Sequence, residues 1–192
     1  MKESELLYTI QNDPEKFSEI FHLYYKPIFG YILRRTGNVD DTADIAANTF
    51  LKAYMHINHF NYKGISIKVW LYRIATNEVN MYFRSNKKRN ALFESADDKT
   101  ISLFKNYLQQ DKEALEAELQ NHEQFLFVLN ALKTLPGKYQ DVIALKYFEG
   151  KDNKEIAQIL NLNEGTLKSL LSRGLEKLRK KCLPVRQAGN HF

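Results

Sequence analysis

Donor-bearing side chains recur between residues 163 and 173 at the spacing of one helix face. They alternate with an apolar stripe and are Thr166, Lys168, Ser169, Ser172 and Arg173. Hydroxyl, ammonium and guanidinium groups arranged in this way suit the phosphates and base edges of a DNA major groove. Arg173 can pair bidentately with guanine, whereas Lys168 is better suited to phosphate. The pattern therefore predicts a DNA-reading helix.

Local signals before this helix predict how it is positioned. Asp152 and Glu155 have the spacing of a capping box, which would start a short helix. Asn161 follows where the chain must turn, and asparagine tolerates a left-handed backbone. Asn163 can cap the next helix, leaving a turn of about three residues. We therefore predict a helix-turn-helix from Asp152 to Leu178.

The inward stripe of the second helix is predicted to consist of leucines, namely Leu167, Leu170, Leu171, Leu175 and Leu178. An ordinary helical hairpin with a solvated polar face would look similar. Basic residues follow in the same helix. They can add only electrostatic attraction to DNA that does not depend on the base sequence, and they are Lys177, Arg179, Lys180 and Lys181.

A second segment combines aromatic, amide and basic side chains. The residues predicted to face inward on this helix are Trp70, Leu71, Ile74, Ala75, Val79 and Phe83; those predicted on its exposed side are Tyr72, Arg73, Asn77, Asn80 and Arg84. A polar loop before it carries His59, Phe60, Asn61 and Tyr62, which suit stacking and hydrogen bonding to unpaired bases. Trp70 alternatively serves as a core anchor, and His59 as a solvated loop residue.

Two more helices are predicted nearer the amino terminus. In the first, a single apolar face comprises Phe17, Ile20, Phe21, Tyr24, Ile28 and Tyr31. In the second, from Asp40 to about Tyr54, the inward residues are predicted to be Ala43, Ala47, Phe50, Leu51 and Tyr54. Strand-like alternation is nearly absent. We expect an all-α protein with two small helical domains joined by a flexible linker.

The domain limits follow from where the helical periodicity weakens. We predict one domain over residues 1–88, a polar linker over 89–118, a second domain over 119–183 and a tail over 184–192.

Composition narrows the classes of function. The 192 residues carry a formal net charge of +5, which is compatible with a polyanionic partner. Cys182 is the single cysteine, and neither it nor the five histidines have metal-ligand spacing, so we expect no metal and no cofactor. The sequence contains no glycine-rich phosphate-binding loop and no nucleophile elbow, so we expect that the protein is not an enzyme. The amino terminus lacks a signal-peptide pattern and no run approaches the roughly 20 apolar residues of a membrane span, so a cytoplasmic protein is expected.

At this point the residues resemble a known family. The segments 135–142, 147–150, 155–157 and 165–173 resemble the fourth conserved region of the sigma-70 family of RNA polymerase sigma factors. Phe50-Leu51-Lys52-Ala53 is similar to the end of the helix that docks on the polymerase clamp. Trp70 to Ala75, with Asn77 and Arg84, resembles the helix that opens the promoter. The short, two-domain layout is similar to the extracytoplasmic-function (ECF) group.

The resemblance implies a division of labour between the domains. The first domain would dock on the β′ clamp helices of RNA polymerase core and hold unpaired bases of the minus-ten element. The second would contact the β flap and read the minus-thirty-five element. An anti-sigma protein is a further expected partner, beside core polymerase and promoter DNA.

The resemblance also implies three sets of site residues. The minus-thirty-five contacts would be Asn163, Glu164, Thr166, Lys168, Ser169, Ser172 and Arg173. The minus-ten contacts would be His59, Phe60, Asn61, Tyr62, Trp70, Tyr72, Arg73, Asn77 and Arg84. The core-docking residues would be Asp44, Ala47, Asn48, Phe50 and Leu51.

The sequence departs from the family pattern in three places. Ala47-Asn48 replaces a common glutamine-acid pair, Asn80 replaces a common aspartate, and Leu170 and Leu175 stand where arginine is frequent. Two other functions are compatible with the residues. One is a free-standing transcription regulator that binds duplex DNA without core polymerase, and the other is a helical protein-interaction module with an incidental basic face.

Overall fold

The computed structural model describes residues 9–10, 13, 16–60, 64–86 and 127–182. This part of the chain is helical and contains no strand, so the all-α prediction is confirmed. The predicted linker at 89–118 and the tail at 184–192 lie outside the described residues, as do Asn61 and Tyr62.

The helices are numbered here in chain order. They are α1 (Phe17–Thr36), α2 (Val39–His56), α3 (Ile67–Asn86), α4 (residues 127–133), α5 (Gly137–Ile143), α6 (Asn153–Leu160) and α7 (Glu164–Cys182). A 3-10 turn, Ile57–His59, follows α2, and a π-helical turn, Ala144–Phe148, continues α5.

A tight junction joins α1 to α2. Gly37 has φ of 69°, and its backbone N–H donates to the carbonyl of Leu33 at 2.7 Å, which closes the end of α1. The Asn38 side chain then accepts from the backbone N–H of Asp41 at 3.0 Å and starts α2. This short connection packs α1 and α2 together in an amino-terminal bundle that α3 completes.

The inward face of α2 differs from the prediction. The buried residues are Thr42, Ile45, Ala46, Thr49, Phe50 and Ala53, so Phe50 is inward as predicted, whereas Ala43, Ala47, Leu51 and Tyr54 are exposed. Threonine fits the core because its hydroxyl bonds back to the helix: Thr42 donates to the Asn38 carbonyl at 2.5 Å and Thr49 to the Ile45 carbonyl at 2.8 Å. A pattern that counts threonine as polar therefore assigns the wrong face.

Helix α3 also deviates from its predicted pattern. Leu71, Ala75 and Val79 are buried as predicted, but the expectation that Tyr72 lies on the exposed side is wrong, since its side chain is buried. The reason is that a second layer of protein, from the carboxy-terminal domain, covers this side of α3.

The carboxy-terminal domain is built around the contact of α5 with α7. Gly174 lies buried against it, and a Cβ atom there would be 3.2 Å from Cδ1 of Ile143 and 3.3 Å from Cδ1 of Tyr139. Leu167 and Leu171 are buried as predicted, whereas Leu175, predicted inward, is exposed. Glycine takes the inward place in that turn because a larger residue would hold the two helices apart.

The two helical domains contact each other directly. Buried residues of both belong to one continuous hydrophobic cluster, which includes residues from Ile10 to Leu171. Helix α3 packs against α6, and α1 packs against the π-helical turn.

Candidate nucleic-acid interface

The helix-turn-helix has the predicted capping geometry. Asp152 Oδ1 accepts from the Glu155 backbone N–H at 2.7 Å, and Glu155 Oε2 accepts from the Asp152 backbone N–H at 3.1 Å. Asn161 adopts φ 52° and ψ 49°, the left-handed conformation that the turn needs. Asn163 Oδ1 accepts from the Thr166 backbone N–H at 2.7 Å. These local predictions are confirmed.

The polar face of α7 is open to solvent. The exposed residues on it and at its cap are Asn163, Glu164, Thr166, Lys168, Ser172 and Arg173, while Ser169 is half-buried. The opposite side of α7 is fixed by buried Leu167 and Leu171. This arrangement holds a row of donors outward on a rigid helix, the form that major-groove binding requires.

The loop and α3 hold a second group of predicted contacts. His59 is exposed at the end of the 3-10 turn, and Asn77 and Arg84 are exposed on α3. The Phe60 ring stacks on Trp70, with centroids 4.5 Å apart and an interplanar angle of 29°. Trp70 is thus half-buried at the edge of the core, with an aromatic partner in the loop.

Two other predicted contacts on α3 are engaged by the carboxy-terminal domain. The Tyr72 side chain is only 1% exposed, and its hydroxyl donates to Glu149 Oε2 at 2.7 Å. Burial, together with the nearby carboxylate of Glu149, raises the pKa of the Tyr72 phenol. Arg73 donates through Nε to the backbone carbonyl of Gln158 at 3.2 Å.

A buried polar cluster lies beside these contacts, and it was absent from the sequence predictions. Arg35 donates through Nε to Asp141 Oδ1 at 3.0 Å and through Nη1 to Gln140 Oε1. Asn80 Nδ2 donates to Asp141 Oδ2 at 3.2 Å. Burial raises the pKa of the Asp141 carboxyl, and the Arg35 charge opposes that rise. The sequence does contain a signal for this cluster. Gln140 and Asp141 lie between Tyr139 and Val142, so a charged residue occurs within a helix that is otherwise apolar enough to be buried.

The residues predicted to dock on core polymerase share a face of α2. Asp44, Ala47, Asn48 and Leu51 are exposed at helical spacing, whereas Phe50 lies beneath them in the core. Next to this stripe the structure adds large apolar side chains that the sequence predictions placed inward or left out: Phe21, Tyr25, Tyr54 and Met55. The Phe21 and Tyr25 rings lie 5.0 Å and 6.0 Å from that of Phe50. We call Phe21, Tyr25, Leu51, Tyr54 and Met55 the docking surface, since clustered exposed hydrophobic residues are typical of a protein interface.

Two further kinds of site were sought over the same residues. No group of three or more His, Cys, Asp or Glu side chains in the described ranges could hold a metal ion. None of the helices described has the length and apolar character needed to cross a membrane.

Comparison with known proteins identifies both domains. Residues 20–89 match the family model of sigma-70 region 2, and residues 128–178 match that of sigma-70 region 4. The ECF RNA polymerase sigma factor SigW of Bacillus subtilis is 33% identical over 175 residues, which cover 88% of this chain and 90% of SigW. The ECF RNA polymerase sigma factor SigM of the same organism is 27% identical over 84% of this chain and 91% of its own length.

Solved structures share the fold. CnrH, in complex with the cytosolic domain of CnrY, aligns with a TM-score of 0.64 at 18% identity, over 98% of this chain and 99% of CnrH. The sigma factor RpoE of Bartonella quintana, in complex with the anti-sigma factor NepR, aligns with a TM-score of 0.62 at 19% identity, over 87% of this chain and 96% of RpoE. With both conserved regions in order and a relative this similar along most of its length, the chain belongs to the ECF group of sigma-70 factors, the DNA-binding proteins that give RNA polymerase its promoter recognition and direct transcription initiation.

Proposed function

We propose that this ECF sigma factor reads the minus-thirty-five element of its promoters with the exposed face of α7. The observation that carries the proposal is the outward row from Asn163 to Arg173 on a helix whose other side is locked by Leu167 and Leu171. Arg173 supplies the bidentate donor for guanine, and Thr166, Lys168 and Ser172 hold the helix on the backbone and base edges.

We propose that the first domain holds the melted minus-ten element. Its exposed contacts would be His59, Asn77 and Arg84, with the stacked pair of Phe60 and Trp70 as an aromatic platform for an unpaired base. Tyr72 and Arg73, which the carboxy-terminal domain contacts, belong to the same proposed set, as do Asn61 and Tyr62, which lie outside the described residues. The domain limits 1–88 and 119–183, the linker at 89–118 and the tail at 184–192 belong to the same proposal.

The polymerase contacts are assigned in the same way. We infer that the α2 stripe of Asp44, Ala47, Asn48 and Leu51, above buried Phe50, docks on the β′ clamp helices. The remainder of the docking surface enlarges the apolar area available to that partner. The second domain would contact the β flap. The factor is inferred to work in the cytoplasm beside its polymerase, as a non-catalytic subunit without metal or cofactor.

An anti-sigma protein is the remaining proposed partner. The support comes from a structural relative, since the Bartonella quintana sigma factor with this fold was solved in complex with the anti-sigma factor NepR.

Substitution of Arg173 tests the reading face. Arg173→Ala should weaken recognition of the preferred minus-thirty-five element by about 1–3 kcal/mol and relax preference at one base pair. The measurement is run-off transcription with purified core on a promoter library randomised at that element. Arg179→Ala, an exposed arginine beyond the predicted reading face, is the matched control and should lower activity evenly across sequences. Unchanged sequence preference in Arg173→Ala would show that another residue reads the element.

A further inference from the structure

Two lysines from different helices approach the same aromatic ring. Lys138 Nζ of α5 lies 5.2 Å from the centroid of the Tyr139 ring, and Lys177 Nζ of α7 lies 5.8 Å from it. Both lysines are exposed, whereas Tyr139 is buried. The electron-rich face of an aromatic ring attracts a cation at these distances. The ring thus holds two ammonium groups at one place on the surface, and we call Lys138 and Lys177 the lysine pair.

The close contact between α5 and α7 fixes the position of the Tyr139 ring. A Cβ atom at Gly174 would lie 3.3 Å from Cδ1 and 3.4 Å from Cβ of Tyr139, so the backbone of α7 approaches this side chain closely. Lys177 follows Gly174 by three residues and is therefore on the adjacent turn of α7. The packing that joins the two helices also determines where the lysine pair lies.

The lysine pair has no acidic partner in the described part of the chain. Neither Lys138 nor Lys177 forms an ion pair there. Glu176, the acid next to Lys177 in the sequence, instead lies 2.7 Å from Lys180. Neighbouring charges of one sign add their potentials and attract groups of the opposite charge. The lysine pair is therefore suited to an anion supplied by another molecule.

The lysine pair lies next to the proposed reading face of α7. Lys177 follows Arg173 by four residues, which places it one turn further along the same side of the helix, about 6 Å along the axis. The phosphates that border a groove are the expected contacts of basic residues beyond the base-reading side chains. Lys138 adds a second charge from α5, a helix outside the helix-turn-helix.

We propose that the lysine pair binds the DNA backbone beside the minus-thirty-five element, with Lys138 and Lys177 on neighbouring phosphates of one strand. Both ammonium groups lie within about 6 Å of one ring centroid, so they can reach phosphates that follow each other along the strand. The proposal rests on the proposed reading role of α7. It assigns to α5 a contact that positions α7 on the duplex without reading bases.

Salt dependence distinguishes lysines that bind phosphate from lysines that are only solvated. Binding of a fluorescent promoter duplex is measured over a series of salt concentrations, with the full chain assembled on saturating core polymerase. Lys138→Gln and Lys177→Gln should each make the slope of log affinity against log salt concentration shallower by about 1, and should weaken binding equally for preferred and altered upstream elements. Lys16→Gln, an exposed lysine just before α1, is the control for loss of one positive charge and should leave the slope unchanged.

Uncharged phosphates locate the contact on the duplex. Each phosphate around the upstream element is replaced in turn by a methylphosphonate, which removes its charge. With the parent chain, replacement at two neighbouring phosphates of one strand should weaken binding several-fold. Lys138→Gln should abolish the loss at one of these phosphates and Lys177→Gln the loss at the other, because the contact is already absent in each variant.

The outcomes separate this site from the proposed reading face. Slopes equal to that of the parent in both lysine variants, or lysine effects that depend on no phosphate or on phosphates far apart, would overturn the lysine pair as a backbone site. If the parent itself showed no preference among upstream elements, the proposed reading role of α7 would fail and this site with it. Far-ultraviolet circular dichroism verifies that all variants fold.

Discussion

At the scale of single residues, the capping side chains and the buried charges differ in how far their partners lie along the chain. Asp152 bonds to Glu155 and Asn163 to Thr166, so short sequence windows contain all the information needed to predict these contacts. Arg35 and Asp141 are 106 positions apart. No local pattern pairs them, which is why the sequence predicted the turn of the helix-turn-helix and missed the buried polar cluster around Arg35 and Asp141.

Lys151 makes the contact between the domains sensitive to pH. Burial, followed by the neighbouring Lys68, lowers its pKa to about 8, while the carboxylates of Glu155 and Glu149 act in the opposite direction. In a separated form the pKa would return to about 10.4. Between these values the form with the domains in contact binds fewer protons than the separated form, so closure of the contact is favoured as pH rises. Below the lower value the charge of Lys151 opposes closure fully.

The population with separated domains is therefore expected to fall as pH rises from about 7 to 9.5, a window that ends below the ionisation of an exposed tyrosine. Electron-electron dipolar spectroscopy measures this population through the distance between spin labels on Cys182, the single cysteine, and on Glu19→Cys, an exposed position of α1. Lys151→Gln should make the trend shallower, and Lys133, whose pKa burial also lowers and whose Nζ lies beside Gly37 of the other domain, accounts for the pH dependence that remains. A population of separated domains that rises with pH, or a trend equally steep in Lys151→Gln, would contradict this assignment.

At the scale of helices, the sequence predicted where the helices lie and roughly where they begin and end. It did not always predict which face of a helix is buried. Helix α2 was expected from its apolar spacing, but Thr42 and Thr49 occupy its core face by bonding to their own backbone. Helix α7 turns Gly174 inward where Leu175 was expected. In both cases tertiary packing selects residues that hydropathy alone ranks as poor core formers.

Gly174 provides a test of the packing between α5 and α7. Gly174→Ala would bring a methyl group within 3.2 Å of Ile143 and 3.3 Å of Tyr139, so these tightly packed side chains would have to give by a few tenths of an ångström. We expect a loss of about 1–3 kcal/mol in the free energy of unfolding, measured by urea denaturation. Gly165→Ala, in the same helix but exposed, should be neutral or stabilising by up to about 1 kcal/mol. Equal effects of the two substitutions would show that the close approach at Gly174 does not limit packing.

At the scale of the whole molecule, the order of the two conserved regions was predictable and their mutual placement was not. Sequence motifs locate α2, α3 and the helix-turn-helix independently of one another. Tyr72 shows the consequence, because it lies outside the apolar stripe of its own helix yet is buried by Glu149 and Lys151 of the other domain. A face that appears free within one domain can thus be covered by the next.

Run-off transcription with core polymerase from the same host most directly tests whether this chain directs initiation. We expect promoter-dependent transcripts only when both the chain and core are present, and only weak binding of duplex promoter DNA by the chain alone, because two modest DNA sites gain specificity when the polymerase holds them on one promoter. Absence of promoter-dependent product across a promoter library, together with tight and specific duplex binding without core, would contradict this account and favour a free-standing regulator.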